Sequence, residues 1–227
     1  MTWQLSLIIP VLNEATGIVP ALQALQALRT ECQLIVVDGG SQDDTVALAM
    51  PWVDCVLKSA RGRAVQMNHG AATAHAPILV FLHSDTHLPK EAVPYIQRAL
   101  AKNYQWGRCD VAFDSPKFIF KIIATMMNFR SYVTGIATGD QAMFMTRAAY
   151  EAVDGFPVLA LMEDIAMSAR LKKVSRPYCL KVKVTTSARR WLTHGIIKTI
   201  LLMWWLRLRF FLGTHPDQLA ALYYSRD

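Results

Sequence analysis

The chain has 227 residues, of which 53% are hydrophobic and 18% charged. That balance excludes a disordered or low-complexity scaffold, and the length suffices to bury a core without disulfide staples. Lys and Arg number 24 against 17 Asp and Glu, a formal charge of +7 that favours an anionic partner without naming it. Cys32, Cys55, Cys109 and Cys179 show no C-x-x-C spacing, which excludes a zinc knuckle or a disulfide framework and points to a reducing cytoplasm. No basic region precedes the apolar run Leu5 to Leu12, which is too short for a signal sequence or a span, so export is not expected.

In chain order, apolar runs of strand length occur at Leu5 to Val11, Gln33 to Val37, Asp54 to Leu57 and Ile78 to Leu82. Helical patterns separate them. Pro20 suits the first turn of a helix that aligns Leu22, Leu25 and Leu28, and Asp43 or Asp44 suits the cap of a segment through Met50. Strands apolar on both faces, alternating with helices, predict a parallel sheet covered on both sides. The second half is less regular, with a strand expected at Arg108 to Phe113, an amphipathic stretch at Lys117 to Val133 and an apolar run at Gln141 to Met145. A helix is expected to start at Glu163-Asp164 and to end near Lys172-Lys173, followed by a strand at Tyr178 to Val184. There is no internal repeat and no sharp composition shift, so one domain over residues 1–227 is expected.

Open parallel sheets bind ligands beyond the carboxyl ends of their strands. Three strand ends carry polar chemistry: Pro10 to Glu14, Val37 to Asp44, and Leu82 to Thr86. Asp38 and Asp85 thereby share one edge, each also explicable as a turn former or helix cap. A dinucleotide fold would need G-x-G-x-x-G in the first turn, but Pro10 to Gly17 reads P-V-L-N-E-A-T-G, and no G-x-x-x-x-G-K-[ST] occurs.

The ordered series I-I-P-V-L-N-E (Ile8 to Glu14), V-V-D-G-G-S-Q-D-D-T (Val36 to Thr45) and R-G-R-A-x-Q-M-N-x-G (Arg61 to Gly70) resembles the nucleotide-sugar half of family 2 glycosyltransferases. L-H-S-D-T (Leu82 to Thr86), G-D-Q-A-M-F (Gly139 to Phe144), G-F-P (Gly155 to Pro157), M-E-D (Met162 to Asp164) and S-A-R-R-W (Ser187 to Trp191) continue the resemblance in order over nearly the whole chain. Within that family the short chain, with L-H-S-D-T joined to S-A-R-R-W, resembles the small bacterial arsenosugar-biosynthesis branch, with carotenoid-acid glycosyltransferases nearby.

The resemblance implies a GT-A fold, a three-layer α/β/α sandwich around a mostly parallel, Rossmann-like sheet. About residues 1–100 would form the nucleotide-sugar half, about 101–195 the acceptor half, and about 196–227 a C-terminal amphipathic helical segment. It implies inverting, metal-dependent transfer of a sugar from a nucleotide-diphospho-sugar, UDP-linked before other bases, to a small-molecule or lipid-like acceptor. Asp38 would bind the base, with Pro10, Asn13, Glu14, Gly39, Ser41 and Asp44 lining the nucleotide site. Arg61 and Arg63 would reach the diphosphate, joined by Gln66, Asn68 and Gly70, since guanidinium pairs bidentately with phosphate. Asp85 matches the last position of the family's D-x-D motif and would hold Mg²⁺ or Mn²⁺. His83 stands where the first Asp of that motif usually is, leaving Asp85 its one carboxylate; His83 would instead touch ribose or phosphate, and Ser84 between them would join it in binding the nucleotide-sugar. By the same resemblance Asp164 is the base and Glu163 orients it, although the pair also suits a helix N-terminus. Asp140 would line the sugar pocket. Arg189, Arg190 and Trp191 would meet diphosphate and acceptor, with Ser187 in place of the Gln that accompanies processive polymer synthesis. His194 is expected to pack rather than bind metal.

Between Ile165 and Pro216 there is no Asp or Glu, but there are eleven Lys and Arg residues. This charge suits diphosphate or an anionic membrane surface. Ile196 to Leu212 is apolar and aromatic but broken by Lys198, Arg207 and Arg209, so it is not expected to span a bilayer. Either an interfacial helix or a core helix packed on the sheet fits it, and Lys117 to Val133 presents the same choice. The competing readings are a sugar nucleotidyltransferase, which wants a Gly-rich first loop this chain lacks, and a non-catalytic basic binder of lipid or nucleic acid. Nucleic acid is not expected, because such a binder leaves Asp38, Asp85 and Asp164 unused.

Overall fold

A computed structural model describes residues 3–224; the ends of the expected domain and of its C-terminal segment, residues 1–2 and 225–227, lie outside. The first strand, β1 (Leu5–Val11), is buried along its whole length, as is β2 (Cys32–Asp38). Both faces are covered. Leu5, Leu7, Ile9 and Val11 join one apolar cluster with Leu34 and Val36, while Ile8 joins a second with Ile35 and Val37. Alternate residues of a strand point to opposite faces, so a continuous apolar run fills two cores at once. Each fully buried aliphatic side chain contributes about 1.5–3 kcal/mol.

β1 pairs in parallel with β2 and with β4 (Ile78–Phe81), and β2 pairs in parallel with β3 (Cys55–Lys58). The other half is mixed. β7 (Met143–Thr146) runs antiparallel to β4 and to β6 (Trp106–Phe113), β8 (Tyr178–Thr186) is parallel to β6, and the short β5 (Thr86–His87) closes the edge antiparallel to β8. The eight strands run in the order β3-β2-β1-β4-β7-β6-β8-β5. The expected α/β fold with an extensively parallel sheet is present, and its antiparallel pairs cluster in the half where the sequence pattern was irregular.

The first expected helix is shorter than its apolar pattern. α1 (Ile18–Ala24) stops and a 3₁₀ turn at Gln26–Leu28 takes over, yet Leu22, Leu25 and Leu28 are all buried. α2 (Thr45–Ala49) has Asp44 at its N-cap position without a side-chain bond. It is the Asp43 carboxylate that accepts the Thr45 N–H, and it also pairs with the Thr45 hydroxyl. α3 (Arg63–Thr73) lies so close to the sheet that a Cβ on Gly70 would stand 2.5 Å from Ile8 Cγ2. Gly70 therefore serves helix-to-sheet packing, and it lines neither of the two cavities beyond the strand ends.

α4 (Ala92–Ala101) precedes β6, and α5 (Phe118–Thr134) packs against β6 through Phe120, Ile123 and Ala124. α6 (Arg147–Ala152) follows β7, and α7 (Glu163–Leu171) begins at the expected acidic pair. Beyond β8 come α8 (Arg189–His194), α9 (Ile196–Phe211) and α10 (Pro216–Tyr224). The start of α9 meets the end of β6, where Ile196 and Ile200 cluster with Phe113, but its inner face further on leaves the sheet. Leu206 packs instead with Leu219, Ala220 and Tyr223 of α10 and with Leu161, Met162 and Ile165 at the head of α7. Among the described residues no helix is long and apolar enough to cross a membrane.

Candidate active site

Two cavities adjoin beyond the carboxyl ends of β1 and β4. The outer one, about 760 Å³, is lined by Pro10, Glu14, Arg61, Gln66, Ser84 and Arg189 among others. The inner one, about 190 Å³, is lined by Asp140, Glu163, Asp164, Trp191 and Arg207 among others. Arg63, His83, Asp85 and Arg190 line both and form the junction. The outer volume falls in the range of small-ligand pockets, and the inner one is smaller.

α7 places the acidic pair. Met162, with φ of 68°, makes a left-handed turn that swings the chain into the helix, a conformation costly for a side-chain-bearing residue and frequent at functional sites. Glu163 is then buried, with Oε1 3.6 Å from Arg63 Nη1. Burial and the neighbouring Asp164 charge push its carboxyl above the ordinary range, against the opposing pull of Arg63. Asp164 is partly exposed and held by two backbone donors. The Gly139 N–H donates to Oδ2 at 2.9 Å and the Ile165 N–H to Oδ1 at 2.7 Å. Each carboxylate oxygen retains a lone pair for a further donor.

His83 and Asp140 pair across the junction, Nδ1 to Oδ1, at 3.3 Å. Burial is the largest influence and pushes the imidazolium down, with Arg63 adding to it, but the hydrogen bond to Asp140 and the charges of Asp140 and Asp85 together outweigh them and raise His83 above its usual value. Burial would likewise raise Asp140, yet the His83 bond and charge, with Arg63 and Arg207, hold it below the carboxylate range. Gly139 makes this approach possible, since a Cβ there would stand 2.2 Å from His83 Nε2. Asp85 is exposed at the junction, where its carboxylate accepts the Thr86 hydroxyl at 3.4 Å and its charge acts on Glu14 and His83. Among the described residues no group of three or more His, Cys, Asp or Glu could hold a metal alone. The donor set still fits Mg²⁺ or Mn²⁺, which takes one or two carboxylates plus substrate phosphates.

In the outer cavity, burial pushes Glu14 up despite the opposing Arg189 charge, whose Nη2 lies 3.7 Å from Glu14 Oε2. The Gln66 amide donates to the carbonyls of Val11 and Val37 at 2.8 Å each, bridging the ends of β1 and β2. Arg190 stacks on the Tyr223 ring at 3.8 Å, and Trp191 meets the Phe113 ring edge-on. His194 also borders the outer cavity.

Several expected site residues lie off these cavities. Asp38 lines neither cavity, although its register partner Val11 lines the outer one. It is buried at the end of β2, where its carboxylate accepts the Gly40 and Ser41 N–H groups of its own turn. Gly39 packs on Gln66, and Ser41 Oγ accepts the Asn13 N–H. Asn13 Oδ1 accepts the Gln42 N–H, so Asn13 and Ser41 brace two loops together. Asp44 is exposed at the N-cap position of α2 and lines neither cavity. Asn68 is furthest from its expected place: its amide ties Tyr150 and the Phe156 backbone together beneath the G-F-P turn.

Sequence reasoning missed one wall. Thr199, Met203, Leu206 and Arg207 of α9 and Tyr223 of α10 line the inner cavity. Burial pushes Arg207 down against the pull of Asp164 and Asp140, and Arg130, nearby on α5, is pushed down to about 10 by burial and by the Arg207 charge. The one available signal was the helical spacing of these residues, which looks the same for packing.

The sequence model described as Glycosyl transferase family 2 matches residues 6–152. No curated protein sequence matches. Among solved structures, TarS of S. aureus superposes with a TM-score of 0.64 at 16% identity, over 81% of this chain and 36% of that one. Glucosyl-3-phosphoglycerate synthase from Mycobacterium tuberculosis, solved with Mg²⁺ and UDP, gives 0.60 at 18% identity, over 81% and 70%. The mannosyltransferase PcManGT from Pyrobaculum calidifontis, solved with GDP-Man and Mn²⁺, gives 0.63 at 19%, over 82% and 57%. The chain thus spans only 36% of the TarS chain and 57% of the mannosyltransferase chain. At such identities the likeness establishes the shared GT-A architecture, and the sequence match over residues 6–152 establishes the family. This chain is a member of glycosyl transferase family 2.

Proposed function

We propose that the protein transfers a sugar from a nucleotide-diphospho-sugar to an acceptor hydroxyl by a single inverting displacement. The observation that carries this reading is the junction of the two cavities at Arg63, His83, Asp85 and Arg190, with Asp164 on the inner side. The nucleotide occupies the outer cavity and its diphosphate lies at the junction. The sugar's anomeric carbon then faces Asp164. As the acceptor oxygen attacks that carbon, its proton passes to Asp164 and the bond to the diphosphate oxygen breaks, the electron pair leaving with the diphosphate. Attack from the face opposite the leaving group inverts the centre. Positioned proton transfer of this kind contributes on the order of 10²–10⁴ in rate.

Arg63 and Arg190 take the developing charge of the leaving group, with Arg61 and Arg189 on the outer side. Asp85, beside His83, would hold Mg²⁺ or Mn²⁺, which when bound neutralises diphosphate charge. Glu163 fixes Arg63 and, through the first turn of α7, the place of Asp164. Trp191 and Asp140 border the acceptor and sugar.

A UDP-sugar is the first donor to test, because structures of similar fold were solved with UDP-GlcNAc and with UDP. One was solved with GDP-Man, which makes a GDP-sugar the second. The motifs L-H-S-D-T and S-A-R-R-W support a place near the arsenosugar-biosynthesis branch, the exposed apolar helices a lipid-like acceptor, and the four free cysteines a reducing cytoplasm. A donor-hydrolysis screen with UDP-, GDP- and dTDP-sugars, with and without Mn²⁺, needs no knowledge of the acceptor. Metal-stimulated hydrolysis of one base series supports the proposal; hydrolysis of none, together with no nucleotide binding, would refute it.

A further inference from the structure

Two helices present apolar stripes to solvent. On α9, Ile197, Leu201, Trp204, Leu208 and Phe211 recur at three- and four-residue spacing, with Ile197 74% and Phe211 69% exposed. On α5 the same spacing runs through Phe118, Ile122, Met126, Phe129 and Val133, with Phe118 72% exposed. Monomeric proteins rarely leave contiguous apolar patches of this size open. The stripes adjoin, because Phe120 and Ile123 of α5 cluster with Ile196 and Ile200 of α9 on the buried side.

The charge around the stripes distinguishes the occupant. Neither helix contains an Asp or Glu, and Lys117, Lys121, Lys198 and Arg209 are exposed beside the stripes. The Arg209 guanidinium lies 5.7 Å from the Trp205 ring, an aromatic-cation pairing suited to headgroup depth. A second copy of this face would bring like charges together. At 17 and 16 residues the helices are about 25 Å long, and each packs one apolar side inward while a second apolar stripe, flanked by Lys and Arg, faces solvent. That is the form of a helix lying in a bilayer surface.

We propose that the joined outer faces of α5 and α9 dock onto an anionic lipid bilayer. α9 also supplies Thr199, Met203, Leu206 and Arg207 to the inner cavity. Under the transferase reading, docking therefore brings the acceptor side to the headgroup layer and selects a membrane-resident amphiphile as acceptor. Docking itself is independent of that reading and is measured without donor or acceptor.

The experiment is co-sedimentation of the full chain with vesicles of phosphatidylcholine alone and of phosphatidylcholine mixed with phosphatidylserine. Binding to the mixed vesicles, weakened by salt, is expected. The pairs Trp204→Gln/Phe211→Gln and Phe118→Gln/Phe129→Gln, and separately Lys198→Gln/Arg209→Gln, should each weaken it at least about tenfold with unchanged melting temperature. All six positions are exposed and outside both cavities. Failure to bind either vesicle would overturn the proposal. So would full binding by folded apolar variants, or a dimer that fails to bind vesicles and that those variants convert to monomer.

Discussion

Glu163 Oε1 lies 3.6 Å from Arg63 Nη1, joining the first residue of α7 to the first residue of α3. The pair couples the two halves of the site. α3 follows the nucleotide-side strand β3, and α7 carries the carboxylate assigned as base one residue further on. Asp164 is held by Gly139 and Ile165 N–H groups, so its place depends on backbone that Glu163 anchors.

Replacing Asp164 by Asn keeps the shape but presents an amide that does not accept the acceptor proton. Transfer should fall by about 10²-fold or more while UDP affinity stays within about threefold. Steady-state kinetics beside calorimetric titration of UDP makes the comparison. Undiminished transfer would remove Asp164 from its role.

Glu163 has a raised pKa in the folded protein, so between the ordinary carboxylate value and the raised one the folded state holds the proton more tightly. Its contribution to stability therefore declines as pH rises across that window and levels off above it. Glu163→Gln stays neutral throughout. Its melting temperature should therefore gain relative to wild type as pH rises above the ordinary carboxylate value. A pH-independent difference between the two proteins would contradict the assignment.

Gly139→Ala places a Cβ where His83 now stands, 2.2 Å from Nε2. The imidazole is a side-chain end and can swing away, so the fold should survive with less than about 2 kcal/mol lost. The swing breaks the pair with Asp140, however, and moves a junction residue. Transfer should drop by about tenfold or more while thermal unfolding stays cooperative. Wild-type activity in this variant would show that the His83 position is immaterial.

Gly107→Ala tests the frame. A Cβ there would stand 2.3 Å from the Tyr178 carbonyl oxygen, against backbone that cannot rotate aside, and 2.5 Å from Phe144 Cζ. The pairing of β6 with β8 must yield, at a cost of about 3 kcal/mol or more. A urea unfolding midpoint close to wild type would show that the sheet edge adapts.

The strands β1 and β2 were legible because burial on both faces leaves an unbroken apolar run whatever the partners. β5 was not: Thr86–His87 is too short for any periodicity and exists through its pairing with β8. α1 shows a further limit, since Leu28 follows helical spacing but is buried from a 3₁₀ turn, with Leu25 buried at the boundary between that turn and α1. At the site, Asp85, Asp140, Glu163, Asp164, Arg190 and Trp191 carry recognisable motifs, and the structure gathers all six around the inner cavity. Membership of a motif did not separate lining residues from bracing ones. Asp38 and Asn68 spend their polar atoms on turns, and only the backbone hydrogen bonds reveal it. Arg207 and Tyr223 carry no motif and reach the cavity by the fold of α9 and α10 alone.

The central claim is that the outer cavity and the junction grip a nucleoside diphosphate with help from Asp85. Calorimetric titration of UDP and GDP into the wild-type protein and into Asp85→Asn, with and without Mn²⁺, tests it most directly. Wild type should bind one of them and gain at least about tenfold in affinity from Mn²⁺, and Asp85→Asn should lose that gain while remaining folded. Binding of neither nucleotide, or an undiminished Mn²⁺ effect in Asp85→Asn, would contradict it.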